Sequence, residues 1–291
     1  MKVHIDCFPC FLKQSIIALR LGTQDESVQE RILKSILSEI NIVDTSKPPA
    51  YATTFIHRKI RHLLGKDPFK NIKSEYNQIA LKLYPELKNM IEESPDPLWT
   101  ASRLAIAGNV IDFGIFTPHQ NSGAGVTSVD IEGTIEKAIY NPLAVDDYIL
   151  FRDDVAISDE ILYLTDNAGE IVFDRLLIET LISLGKKVKA AVKGSPVIND
   201  STMEDARESG LTEVCEVIDN SSDIVGTILE WTSPEFQEAF KNAQLVISKG
   251  QGNFETLIET GKKIFFLFQS KCDVVSKELG LSTGSMLLKK S

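Results

Sequence analysis

The sequence predicts an α/β protein: a Rossmann-like, three-layer, mostly parallel sheet with an N-terminal helical domain. Three observations carry that expectation. Apolar residues recur at helical spacing through the first third of the chain. After Asp159, short apolar runs alternate with helical patterns, the signature of strands joined by helices. Between the two, from about Phe116 to Asp130, Pro118, Asn121, Gly123 and Gly125 mark a loop or junction. The expected division is a mainly helical domain over 1–118 and an α/β domain over 119–291. A length of 291 residues suits about two domains or one large α/β unit.

The elements follow in order. Pro9 suits the first turn of a helix, and Phe11, Leu12, Ile16, Ile17 and Leu19 continue it as an apolar stripe. Further helical patterns cover Val28 to Ile40, Thr54 to Leu64, Asn71 to Leu83 and Leu98 to Phe113. Pro48-Pro49 and Gly65-Lys66-Asp67-Pro68 are breaks between them. Ile161 to Leu164 reads as a buried strand running into Asp166-Asn167-Ala168-Gly169-Glu170. Ile171, Val172, Leu176, Leu177, Leu181 and Ile182 then recur at helical spacing, with Gly185 as the stop. Val188 to Val192, Val214 to Ile218, Leu245 to Ser248 and Ile264 to Phe268 are four further strands.

Composition narrows the function. Apolar residues at 43% and charged residues at 25% support a sizeable core. Lysine and arginine total 31 against 41 acids, a net charge of −10, which argues against a general nucleic-acid surface. A small phosphorylated ligand in one pocket stays compatible with that charge. The longest strongly apolar run, Ile264 to Phe268, is far short of the roughly 20 residues that span a bilayer. The N-terminus carries Asp6 where a signal peptide needs an apolar stretch. A cytoplasmic protein with neither nucleic-acid nor membrane partner is expected. Four cysteines are too few for a disulfide scaffold.

In an open parallel sheet, ligands bind outside the carboxyl ends of the strands. Three loops should meet there: Asp166 to Glu170, Lys193 to Asp200, and Lys249-Gly250-Gln251-Gly252-Asn253. Asp166, Asn167 and Asp200 supply hard oxygen ligands suited to Mg²⁺ or Mn²⁺. Lys249 offers a point charge for phosphate. Gly169, Gly194, Gly250 and Gly252 let backbone N–H groups approach an anion, and the helix after Glu170 points its positive end at the same place. A cation, a lysine and exposed amides are what hydrolysis of a phosphomonoester needs. The metal polarises the phosphoryl oxygen and activates a water for in-line attack. Each feature also has a plain structural reading: a helix cap, a solvated lysine, a tight turn.

These segments resemble the metal-dependent damage-control phosphatases, a family that includes a protein described as an acidic-residue methyltransferase. The likeness is to the archaeal and bacterial subgroup with an N-terminal Cys-x-x-Cys. It spans nearly the whole chain: Cys7-Phe8-Pro9-Cys10-Phe11, Gly65 to Pro68, Ala107 to Gly114, Asp166 to Glu170, Phe173-Asp174, Asn199-Asp200, Lys249 to Asn253 and Lys271-Cys272. The resemblance implies that Asp166, Asn167 and Asp200 hold a divalent metal (Mn²⁺, Mg²⁺, Co²⁺ or Ni²⁺). Asp205 competes with Asp200, whose Asn-Asp-Ser context matches better. The resemblance further implies that Lys249 contacts the substrate phosphate, with Gly250 and Asn253 in the same loop, and that the helix face bearing Asn109 and Asp112 looks into the site. Glu170 either orients metal-bound water or favours the helix N-terminus. The substrate implied is a small phosphorylated metabolite.

Cys7 and Cys10 have redox-motif spacing, but they open the chain instead of following a strand. With Cys272, and with His4 or Cys215, they are candidates for a second metal or thiol site; the alternative is that they anchor the first helix. His57, His62 and His119 form no ligand pattern. No Gly-x-Ser-x-Gly elbow or Walker lysine loop is present. Two other functions stay open. An S-adenosylmethionine-dependent carboxyl methyltransferase fits the fold class but lacks a Gly-rich first loop. A non-enzymatic metal- or redox-responsive binding protein rests on the cysteine pair alone.

Overall fold

The computed structural model describes residues 1–110 and 131–291. The expected domain border at 118/119, the loop from Phe116 to Asp130, Asp112, His119 and the expected helix end at Phe113 lie outside the described residues.

Five helices lead the chain: α1 (Cys7–Gly22), α2 (Glu26–Asn41), α3 (Pro49–Leu64), α4 (Lys70–Glu92) and α5 (Pro97–Val110). Helix α1 starts at Cys7, so Pro9 sits inside the first turn, where its missing N–H has no helical partner to lose. The Asp25 carboxylate caps α2, accepting from the Ser27 and Val28 N–H groups. Helix α4 runs well past the expected end at Leu83, straight through Pro85. Its buried face explains this: Tyr76, Ala80, Leu87 and Ile91 share one stripe, and burial of the last two offsets the backbone bond that proline removes. Helix α5 is buried on nearly every side, as expected of a helix that is apolar all round. Helices α6 (Ile131–Tyr140) and α7 (Tyr148–Ile157) come next and were not evident in the sequence.

A seven-stranded sheet follows: β1 (Val145–Asp146), β2 (Glu160–Leu164), β3 (Lys187–Val192), β4 (Glu216–Asp219), β5 (Leu245–Lys249), β6 (Ile264–Gln269) and β7 (Met286–Lys290). Their order is β1-β7-β6-β5-β2-β3-β4. All pairs are parallel except β6–β7. The mixed α/β class with a mostly parallel sheet is therefore as the sequence predicts. Strand β4 starts at Glu216, later than expected, because a short 3₁₀ turn occupies Leu211–Glu213. The edge strand β1 and the antiparallel β7 escaped the sequence reading; β1 has two residues and carries no pattern.

Helices α8 (Glu170–Ser183), α9 (Met203–Glu208), α10 (Pro234–Asn242), α11 (Gln251–Leu257) and α12 (Asp273–Leu279) complete the fold. Gly185, at φ +80°, ends α8 as expected, with Lys186 N–H reaching back to the Leu181 carbonyl. The central strands β2, β5 and β6 are buried on both faces. Ile161, Tyr163, Leu245, Ile247, Phe265 and Leu267 join one core shared with α1 to α5 and α8. Leu162, Leu164, Val246, Phe266 and Phe268 join a second core with Phe236, Phe240 and Phe254 of α10 and α11. These are the two faces of one sheet, read off by the period of two. Among the described residues, no helix is long and apolar enough to cross a membrane.

From β2 the chain winds outward through β3 and β4; from β5 it winds the other way through β6 and β7. The β2–β5 border is thus the topological switch point, where two loops diverge and open a crevice. The first and third glycine-bearing loops flank that border.

His57 on α3 is buried beside the Phe69 ring, and its Nε2 has no hydrogen-bond partner among the described residues. Burial, with Arg61 adding to it, pushes the imidazole down to about 3 from 6.5. Between those values the unfolded chain takes up a proton that the folded chain refuses, so stability falls as pH drops through that window. At about 1.4 kcal/mol per pKa unit, the cost at pH 5 is about 2 kcal/mol. Urea unfolding at pH 7 and pH 5 should show His57→Leu losing less stability on acidification than the unaltered protein, by about that amount.

Candidate active site

The first and second loops are bonded side by side. Asn167 and Asp200 form an isolated antiparallel bridge; Ser201 N–H donates to the Asp166 carbonyl at 2.7 Å, and Ala168 N–H to the Asn199 carbonyl at 2.9 Å. Residues more than thirty apart in sequence are thereby held as neighbours. The third loop closes on them through Gly250, which has φ +81°; a Cβ there would collide with the Asp166 carboxylate.

Helix α5 enters from the helical part. Gly108 packs against Phe173 on α8 so closely that a Cβ would sit 2.9 Å from the Phe173 Cβ. That approach delivers Asn109. Its Nδ2 donates to Asp166 Oδ2 at 3.1 Å and to both Glu170 oxygens at 3.1 and 3.0 Å. Its Oδ1 accepts from Gln269 N–H at 3.0 Å. The Asn167 Nδ2 reaches the same two carboxylates, Asp166 Oδ2 at 2.7 Å and Glu170 Oε2 at 2.9 Å. Two amides thus clamp two carboxylates, and the Asn167 Nδ2 is committed to that clamp.

Lys249 differs from its sequence expectation. Its side chain is 0% exposed, and its ammonium donates to Glu170 Oε1 at 2.6 Å, Asp174 Oδ1 at 2.6 Å and the Ala105 carbonyl at 2.8 Å. An ammonium has three donors, and all three are taken. Lys249 is the counterion of a buried carboxylate pair, with no donor left for a substrate phosphate. Burial lowers its pKa, but Asp174 and Glu170 more than offset that, so it stays charged. Asp174 also accepts from Tyr163 Oη at 2.8 Å, and burial pushes its carboxyl up to about 7 despite Lys249. Asn253, expected at the substrate, likewise serves the scaffold: its Nδ2 donates to the Lys249 carbonyl at 2.8 Å, and its Oδ1 accepts from Thr227 Oγ1 at 2.8 Å.

The remaining acids separate cleanly. Asp205 caps α9: its Oδ2 accepts from Thr202 N–H and Oγ1 at 2.8 Å each and from Lys73 Nζ at 3.0 Å, and its Oδ1 from Asn77 at 3.0 Å. It is fully engaged in structure. Asp200 is not. Its buried Oδ2 has no hydrogen-bond partner among the described residues; the nearest cation, Lys193, is 3.5 Å away. Burial pushes Asp200 up to about 6, Glu170 adding to it while Lys193 and Lys73 oppose. Asp166 is raised well above the usual range by burial and by the carboxylates of Glu170 and Asp200, with Lys271 and Lys193 pulling the other way. Three carboxylates therefore crowd one place that its lysines do not fully compensate.

Among the described residues, no three Cys, His, Asp or Glu side chains converge as a ready ion cage. A cation here would be held by the Asp166 and Asp200 carboxylates, an amide oxygen and water, a donor set that suits a small hard ion. The same finding bears on the thiols. Cys7 is buried, Cys10 exposed and Cys272 half-buried, all free. They lie near enough for Cys272 to raise the other two, and burial pushes Cys7 up first, but they form no tetrahedral zinc set with a histidine. The His4 Nδ1 faces Asp6 at 2.9 Å.

Sequence reasoning missed Asp174, Lys73, Asn77 and Lys193. Asp174 had a signal: Glu170 and Asp174, four apart on an otherwise apolar helix, call for a buried cation.

A switch-point sheet whose loops present carboxylates and amides defines a ligand-handling α/β protein of the doubly wound class. Known proteins make this more definite. The fold superposes on the crystal structure of a DUF89 family protein from Pyrococcus horikoshii with a TM-score of 0.86 and 34% identity, covering 100% of this chain and 99% of that one. A damage-control phosphatase of P. horikoshii is 35% identical over 99% of this chain and 97% of its own length. One of Archaeoglobus fulgidus is 31% identical over 99% of both. The damage-control phosphatase ARMT1-like domain matches residues 3–287, and the chain belongs to that family.

Lys249→Met would leave Glu170 and Asp174 buried without their cation. It should lower the unfolding free energy by about 3–5 kcal/mol in urea. A solvent-facing phosphate contact would change it by less than about 0.5 kcal/mol.

Proposed function

We propose that the chain hydrolyses phosphomonoesters of small phosphorylated metabolites, using a divalent cation held by Asp166, Asn167 and Asp200. The observation that carries this is the buried Asp200 Oδ2 beside the Asp166–Asn167 loop, which has no hydrogen bond among the described residues and only a 3.5 Å ion pair to Lys193, in a surplus of negative charge. Family membership supports the phosphatase reading. Mn²⁺, Mg²⁺, Co²⁺ and Ni²⁺ all accept such oxygen donors.

When bound, the cation supplies Lewis-acid polarisation of the phosphoryl group and makes water a better nucleophile. The chain's own residues do the rest. Asp166 and Glu170, themselves held by Asn109, accept from the Asn167 Nδ2, which leaves the Asn167 oxygen for the cation. Lys249 fixes Glu170 in place, so Glu170 acts as a positioning group, and Gly250 leaves room for the Asp166 carboxylate. The cation we assign to the substrate phosphate is Lys271, exposed on the loop after β6, where its charge lowers the pKa of Asp166. Gln251 fixes that loop by accepting the Lys271 N–H at 2.8 Å.

Metal-stripped protein assayed on p-nitrophenyl phosphate should be inactive and recover on addition of one of these ions. Asp166→Ala and Asp200→Ala should each lower activity by about 10³-fold or more, several kcal/mol of lost charge stabilisation, with thermal unfolding still cooperative. Lys271→Ala should raise KM about tenfold and change kcat little. Full activity without any ion, or in Asp166→Ala, would reject the reading.

A further inference from the structure

The helical part grips the two ligand-bearing loops at a point that no motif marks. Asn77 lies on α4 and is fully buried. Its Oδ1 accepts the Gly169 backbone N–H at 2.7 Å. Its Nδ2 donates to Asp205 Oδ1 at 3.0 Å and to Glu208 Oε2 at 2.8 Å. One turn earlier, Lys73 donates to Asp205 Oδ2 at 3.0 Å and to the Asp200 carbonyl at 3.5 Å.

Gly169 closes the loop that carries Asp166 and Asn167. Its φ of +77° and ψ of −53° form a conformation that few residues adopt. A buried N–H in such a turn needs a partner, and Asn77 is that partner. Asp205 lies in α9, which begins three residues after Asp200. One amide therefore spans from the end of the first loop to the element that anchors the second. The other ties between the loops are the backbone bonds from Ser201 to Asp166 and from Ala168 to Asn199, together with the hydroxyls of Thr165 and Ser201. Those ties lie along the line of the bridge. Asn77 and Lys73 bind both loops off that line.

We propose that Asn77 is a positioning residue for the cation site: through Gly169 and Asp205 it sets the separation of Asp166 and Asn167 from Asp200. The inference rests on the cation reading of those three residues. It makes α4 a working part of the site, although α4 contributes none of the proposed ligands.

The test is calorimetric titration of Mn²⁺ alone into the metal-stripped full chain, with no substrate present. Asn77→Ala should weaken Mn²⁺ binding by about 10- to 100-fold, the usual effect of removing a group that orients metal ligands. The control is Ser74→Ala combined with Gln78→Ala. It removes two bonds to Glu208 from the same helix, 2.7 and 2.9 Å, without touching Gly169. It should bind Mn²⁺ as the unaltered protein does, even where its unfolding temperature falls as far. Amide exchange of Gly169 in the unaltered protein gives an answer that does not depend on the variant folding: the amide should be strongly protected without metal. Equal Mn²⁺ affinity in Asn77→Ala, or an unprotected Gly169 amide, overturns the inference and leaves the proposed function standing. Absence of Mn²⁺ binding in the unaltered protein removes both.

Discussion

Lys249 carries a full positive charge to the end of the central strand β5, where its side chain is 0% exposed, and there it meets Glu170 and Asp174 from one face of α8. Burying an ion costs several kcal/mol unless partners satisfy it. Here two carboxylates and the Ala105 carbonyl do so. The arrangement joins β5, α8 and α5 at one point. It also fixes Glu170, and Glu170 in turn holds the amides of Asn109 and Asn167. The rest of the site depends on this triad: loosen it, and the Asn167 amide and the Asp166 carboxylate lose their common support.

Charge explains how an acidic protein can handle phosphate. The acids of the site do different jobs. Asp205 caps a helix, Glu170 and Asp174 balance Lys249, and Asp166 and Asp200 are left under-compensated. Asp174 Oδ2 is also buried without a hydrogen bond among the described residues, but Lys249 already serves that carboxyl; Asp166 and Asp200 are the pair on the two loops where a cation would meet the demand. Such a cation would reverse the local field and, with Lys271, favour an anionic ligand. Most of the net charge of −10 plays no part in this.

The strands that form the site were legible because a strand buried on both faces reads as a continuous apolar run. The loops were legible because each follows such a run directly, and the switch-point rule then brings them together. The role of Lys249 was not legible. A lysine before glycine at a strand end has the same local pattern whether it faces water or a buried acid pair. The pairing of Glu170 with Asp174 on an apolar helix was the clue. Asn77 gave no clue at all: it is one polar residue in an amphipathic helix, and only the packing of α4 against α9 distinguishes it from a solvated one. The continuation of α4 through Pro85 was hidden for a similar reason, since tertiary burial of Leu87 and Ile91 overrides the local cost of proline.

The central claim is that one hard cation sits between the Asp166–Asn167 loop and Asp200. Anomalous diffraction at the manganese edge, from crystals of the full chain grown with Mn²⁺, tests it most directly. A single strong peak is expected about 2.0–2.4 Å from Asp166, the Asn167 Oδ1 and Asp200, with Lys249 still bonded to Glu170 and Asp174. A peak elsewhere, or none between those loops at saturating Mn²⁺, would contradict it.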